Sequence, residues 1–186
     1  MIKLSSQVLI FVLLCGSANY LAAQKAFTFT KSFDKKLKKY DLEYYQPTDI
    51  WLHPVPYQDE YDEYDMVLYS EDQDVEVRYL FRDSSSPLAL SSMPHFEFYR
   101  SILDFASNEE EDNQIAIQDM LPETALELYN ADWCLTAEFT PKASVSNMPK
   151  GRILGIYKEG SGLIFCVIFF DGDLPSYFEL PIKFIN

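Results

Sequence analysis

Cysteine, histidine and glycine are scarce in this chain: three, two and six in 186 residues. So few Cys and His leave little material for a zinc site, and neither C-x-x-C nor H-x-x-x-H spacing occurs. The G-x-S-x-G elbow of many serine hydrolases is missing, and so is the D-x-D-x-D-G-x5-E calcium loop. No apolar run approaches the roughly 20 residues of a membrane span. Few glycines beside ten prolines exclude a collagen-like chain. Basic residues are also in short supply, 15 against 29 acidic, for a net charge of -14. That charge argues against nucleic acid or an anionic membrane face as the main partner.

Hydrophobic side chains are plentiful. At 48% of residues, with 16% aromatic, they exclude a disordered chain and suffice for one buried core. The N-terminus has the grammar of a secretory signal peptide. Lys3 gives a positive start, Val8 to Leu14 (VLIFVLL) a short apolar run, and Gly16-Ser17-Ala18 and Ala22-Ala23 the small residues that a signal peptidase admits. Cleavage is expected after Ala23 or one residue later, making 1–23 a signal peptide and 24–186 a single α+β domain. Cys15, directly after the apolar run, keeps open a lipid-anchored alternative, although Leu14 stands where lipoprotein signals usually carry a small residue. The expected location is periplasmic or secreted.

Charge is uneven along the mature chain. Lys31, Lys35, Lys36, Lys38 and Lys39 crowd together, while from Tyr40 onward 8 basic and 28 acidic residues give -20. The lysine cluster reads as a solvated turn or helical start. Alternation predicts strands at Ala26–Thr30 and Tyr40–Tyr45. Met66–Ser70 and Val75–Arg82 flank an acidic turn and predict a hairpin. Pro94 predicts a helix start with Ser92 as cap, and Tyr99, Ile102, Leu103 and Ala106 fall at helical spacing up to about Ser107-Asn108. A shorter helix from Pro122 to Asn130 places Leu121, Ala125, Leu128 and Tyr129 on its buried stripe. Then comes a meander: Trp133–Thr140, Arg152–Lys158, a Glu159–Gly162 turn, an all-apolar central strand Leu163–Phe170, and a last strand Tyr177–Ile185 broken by Pro181. The expected class is α+β, a mostly antiparallel sheet with two helices packed on it.

That order of elements resembles the PsbP/Mog1-like fold. The segment Tyr129-Asn130-Ala131-Asp132-Trp133, followed by Ala137-Glu138-Phe139, Pro141-Lys142 and Ile156-Tyr157-Lys158, is similar to uncharacterised secreted proteins of Gram-negative bacteria that share an N-A-D-W stretch. Cys134 follows Trp133 where related motifs often have Gly. The motif resemblance covers roughly residues 125–172. It implies a noncatalytic, partner-binding domain.

Candidate site residues are few. His53 and His95 stand alone, each next to a proline. Cys134 and Cys166 fall on the first and third strands of the meander, about 10 Å apart across an intervening strand, too far for a disulfide that needs α-carbons within about 7 Å. Free buried thiols are expected. The carboxylate groups Asp59, Glu60, Asp62, Glu63 and Asp65, then Glu71, Asp72, Asp74 and Glu76, then Asp171 and Asp173, read as solvated turns, with a loose calcium site as the alternative. Tyr57, Tyr61 and Tyr64 alternate with the first group and suit a recognition surface, because tyrosine offers contact area with a polar tip. The alternative for these rings is packing onto the sheet. Asp132 and Trp133 are a candidate ligand-facing pair, with Trp133 otherwise core. No catalytic, metal or cofactor residue is assigned. The expected function is an extracytoplasmic binding or accessory domain for a protein or cell-envelope component. Alternatives are a small-ligand or calcium carrier, or an enzyme of unrecognised type.

Overall fold

A computed structural model describes residues 30–45, 50, 52–55, 64–70, 74–82, 93–109, 114–174 and 181–185. The predicted signal peptide, the strand at 26–29, Tyr57, Tyr61, the expected cap Ser92 and the acidic residues Asp59, Glu60, Asp62, Glu63, Glu71 and Asp72 lie outside these residues. Among them are three helices, α1 (Lys31–Lys39), α2 (Pro94–Phe105) and α3 (Pro122–Tyr129), rather than the two expected. Nine strands complete the order: β1 (Leu42–Tyr44), β2 (His53–Pro54), β3 (Met66–Ser70), β4 (Val75–Arg82), β5 (Ala116–Asp119), β6 (Trp133–Phe139), β7 (Lys150–Lys158), β8 (Gly162–Phe170) and β9 (Ile182–Phe184).

The lysine cluster is the unexpected helix. Thr30, expected at the end of a strand, instead caps α1, its Oγ1 accepting from the Phe33 amide at 3.3 Å. Lys36, Lys38 and Lys39 occupy the last turn, where a helix favours positive charge. Phe33 and Leu37, four apart, bury the only apolar stripe it has. Asp65 pins the helix to the sheet: one oxygen takes the Lys36 ammonium and the other the Phe81 amide.

Seven strands form one sheet in the order β2-β3-β4-β8-β7-β6-β5, antiparallel throughout. β8 lies at its centre with all nine residues buried, as its unbroken apolar run predicts. The meander order β6-β7-β8 is as expected, and both Cys134 and Cys166 are buried free thiols. The last strand departs from expectation. β9 leaves the sheet and pairs with β1 in a separate two-stranded ribbon, Leu42 opposite Phe184.

Each face of the large sheet carries its own core. On the first, Val77, Tyr79, Phe81, Cys134, Ile156 and Ile168 pack with α1, α3 and the ribbon. Asn130, the left-handed cap of α3, ties that helix to the ribbon by donating its side-chain amide to the Phe184 carbonyl at 3.1 Å. On the second face Leu135, Ala137, Ile153 and Phe165 lie under α2. The buried stripe of α2 is Phe98, Ser101, Ile102 and Phe105; Tyr99 and Leu103 point outward, 46% and 63% exposed. Ile102 and Ala106 are buried as expected, but Phe98 takes the place expected of Tyr99, because Gly155 leaves room for its ring. A β-carbon at Gly155 would come within 2.7 Å of that ring. α2 ends at Phe105, short of Ser107-Asn108, and its N-cap Met93 makes no side-chain capping bond. On α3, Ala125 and Tyr129 are buried as expected, but Leu121 is 69% exposed.

Candidate functional site

Two concentrations of polar chemistry stand out on the sheet, one with its bonds made and one with bonds left over. The first surrounds Arg78 on the second face. β4 places Glu76 and Arg78 two apart on one face, and both are buried. Arg78 donates from Nε to Glu76, from Nη1 to the Tyr64 hydroxyl at 3.1 Å and from Nη2 to the Val145 carbonyl at 2.9 Å. Its guanidinium also lies against the Tyr64 and Phe169 rings, 4.9 and 4.6 Å from their centres. Burial works against the charge, but the Glu76 carboxylate and the Tyr64 hydroxyl outweigh it and hold the Arg78 pKa above its ordinary value. All three guanidinium nitrogens are engaged within the protein. The cluster therefore clamps Tyr64 and the 142–148 loop onto the sheet.

The second concentration is a cleft of about 690 Å³ on the first face, over β5, β6, β7 and β8. Strand alternation builds it row by row. Ala116, Glu138, Arg152 and Ile168 stand side by side across four strands; Gln118, Thr136 and Leu154 form the next row. Met120 and Tyr129, at the two ends of the α3 segment, contribute to the wall. Leu154 and Ile168 make the floor apolar. Arg152 and Glu138 put a charged pair in it, with Arg152 Nε and Nη2 at 3.0 and 2.5 Å from one Glu138 oxygen. Thr136 Oγ1 is buried with no hydrogen-bond partner among the described residues. A buried hydroxyl left unpaired is uncommon and costs stability.

The cleft reaches β5, the last strand of the sheet. All four β5 residues are exposed, Ile117 at 45%. The Met120 amide donates to the Cys134 carbonyl at 3.1 Å, which fixes the alternation: Ala116, Gln118 and Met120 direct their backbone groups at β6, and Ile117 and Asp119 direct theirs outward. The cleft was not legible beforehand, because β5 carries no alternation of burial from which to predict a strand. The one local signal was that Ala116–Asp119 lies between an acidic run and a proline-started helix without a Gly or Pro of its own.

The predicted site residues lie elsewhere. Tyr57 and Tyr61 are outside the described residues, and Tyr64 packs on Arg78. Asp132 is exposed, and its carboxylate accepts from the Glu159 amide at 2.8 Å, bracing the β7–β8 turn. Trp133 packs against the second core, with the His95 ring tilted against it at 4.3 Å and Phe98 edge-on at 6.0 Å. Its indole Nε1 is buried without a partner among the described residues. Asp132 and Trp133 are thus neighbours in sequence that do not share a pocket, and neither lines the cleft. Among the described residues no three His, Cys, Asp or Glu side chains converge on a point that could hold a metal ion. Nor is any helix among them long and apolar enough to cross a membrane. Searches of protein-family models, curated proteins and solved structures find no match to the chain.

Proposed function

We propose that the protein is an extracytoplasmic, noncatalytic binding domain that holds a protein or cell-envelope component in the cleft over β5–β8. The observation that carries this reading is the combination of apolar floor, charged pair and unspent hydroxyl at one open side of the sheet. A concave lining that combines an apolar floor with convergent polar groups is the kind that binding sites use. Export through residues 1–23, a lipid anchor on Cys15 as its alternative, and kinship with PsbP/Mog1-like domains belong to the same proposal. The kinship is supported by the order of hairpin, helices and meander and by the Asn130-Ala131-Asp132-Trp133 stretch.

Site-specific photocrosslinking tests the location. A photoreactive phenylalanine analogue at Gln118, inside the cleft, should yield discrete adducts when the protein is expressed in its host. The same analogue at Arg100, exposed on α2 beyond the opposite face, should not. Equal labelling from the two positions, or none from Gln118, removes the cleft as the binding site. Mass analysis of the adduct separates a protein partner from a glycan or lipid of the envelope.

A further inference from the structure

We infer that β5 is a strand-addition site, and that the occupant is an extended, net-basic segment of a partner protein. The inference rests on the cleft reading above and names what enters there.

Three observations carry it. First, Ile117 and Asp119 each present an amide N–H and a carbonyl outward at the edge, and none of these groups has a partner among the described residues. An extended segment alongside could make four main-chain hydrogen bonds to them, as in β-augmentation. Second, the added strand would send alternate side chains to opposite faces. Residues opposite Ala116 and Gln118 fall on the cleft side. The small Ala116 side chain leaves the route to Glu138 open, and Glu138 is more than half exposed. Residues opposite Ile117 and Asp119 fall on the other side, against an exposed isoleucine and an exposed carboxylate. Third, the chain carries a net charge of -14, and this edge offers Glu138 and Asp119. The complementary segment has an apolar residue opposite Ile117 and a Lys or Arg opposite Ala116 or Asp119. The field of the protein would speed its approach.

A displayed library of random peptides about eight residues long, an ordinary strand length, supplies the probe. Panning on the mature protein should enrich net-basic peptides of alternating polarity. The best binder is then synthesised with single N-methyl groups at successive amides. Strand addition expects a period of two: methylation at amides facing β5 weakens binding by about tenfold each, and at the intervening amides by no more than about twofold. Ile117→Pro removes an outward donor while leaving the bonds of Ala116 and Gln118 to β6, and should abolish capture. If that variant does not fold, the N-methyl scan still decides, because it uses the unaltered protein; Ile117→Lys, which keeps the backbone, should weaken binding less. No enriched peptide, a scan without the two-residue period, or enrichment of acidic peptides overturns the inference. So does concentration-dependent dimerisation abolished by Ile117→Pro, which would make the occupant a second copy of the chain. Adducts from Gln118 that prove to be glycan or lipid would leave the cleft reading standing while strand addition falls.

Discussion

The two ends of the seven-stranded sheet handle the same problem in opposite ways. At one end, the Val55 amide donates to the Val67 carbonyl at 3.0 Å, so the alternation turns Pro54 outward. Proline has no N–H, and this outward position therefore offers no donor to a passing strand. At the other end, Ile117 and Asp119 keep both outward groups. On its second face, the half of the sheet nearer β2 carries the closed cluster in which Arg78, Glu76 and Tyr64 engage one another. The half nearer β5 retains an unpaired threonine hydroxyl and an open cleft. Edge strands invite unwanted association unless blunted, so an edge left unblunted beside a cleft is where a partner is best accommodated.

The closed half can be broken through its clamp. Arg78→Ala would leave the Glu76 carboxylate buried without its partner, and removing one member of a buried pair costs roughly 3–5 kcal/mol. Chemical denaturation should show that loss, with the 142–148 loop gaining hydrogen exchange first because Val145 loses its donor. The double substitution Glu76→Leu with Arg78→Met should recover most of it, since no charge is then stranded. If the single variant unfolds at the wild-type denaturant concentration, the cluster is no clamp.

The core on the first face, shared by both halves, is sensitive to alkali. Burial, with a smaller contribution from the Asp119 carboxylate, pushes the Cys134 thiol up to about 12 from an ordinary 9.0. Burial likewise holds Cys166 and Tyr79 well above their ordinary values, the thiol of Cys166 being eased slightly by the Tyr79 hydroxyl. Once pH passes about 9, the unfolded chain gives up these protons while the folded chain keeps them. The unfolded state then binds fewer protons, so stability falls as pH rises from about 9 toward about 12 and gains nothing from these groups below that window. Denaturation midpoints at pH 8 and pH 10.5 check the direction. In the same experiment both thiols should resist a thiol reagent in native protein and react after unfolding; rapid native labelling of Cys134 would contradict its burial.

What could be read from residues alone followed the strength of local patterns. The hairpin Met66–Ser70 and Val75–Arg82 and the central strand near Leu163–Phe170 were legible, because alternation or a sustained apolar run marks them directly. Helix α1 was not, since seven of its nine residues are polar and only Phe33 and Leu37 report a buried side. β5 was not, since every one of its residues is exposed. The pairing of β9 with β1 spans the whole domain and leaves no local trace. The candidate cleft inherits this blindness at one wall: β6, β7, β8 and Tyr129 of α3 were expected, but β5, which completes it, was not.

The contrast between the edges can be reversed by exchanging their chemistry. Pro54→Ile restores an outward donor at β2, and Ile117→Pro removes one at β5. Both positions are at a sheet edge with the inward bonds untouched, so each should change stability by no more than about 1 kcal/mol. Their effects should differ in kind: Pro54→Ile should self-associate more than wild type at high concentration, whereas Ile117→Pro should match wild type there and lose capture of basic peptides, as measured by sedimentation velocity and peptide binding. If both variants behave as wild type, the outward groups do not govern what the edges admit.

The smallest expected effect sits at the cleft floor. Thr136→Val replaces the unpaired hydroxyl with a methyl of nearly the same shape. In the free protein this removes a desolvated group that has no partner among the described residues, so stability should rise, by about 1 kcal/mol at most. In the bound protein the sign depends on use: an occupant that bonds the hydroxyl loses affinity in the variant, and one that merely covers it does not. A thermal midpoint that falls in the free variant would mean that Thr136 Oγ1 already spends its bond on an ordered water, as buried polar groups often do. The cleft would then be hydrated at its base, and a binder would have to displace that water or bridge through it.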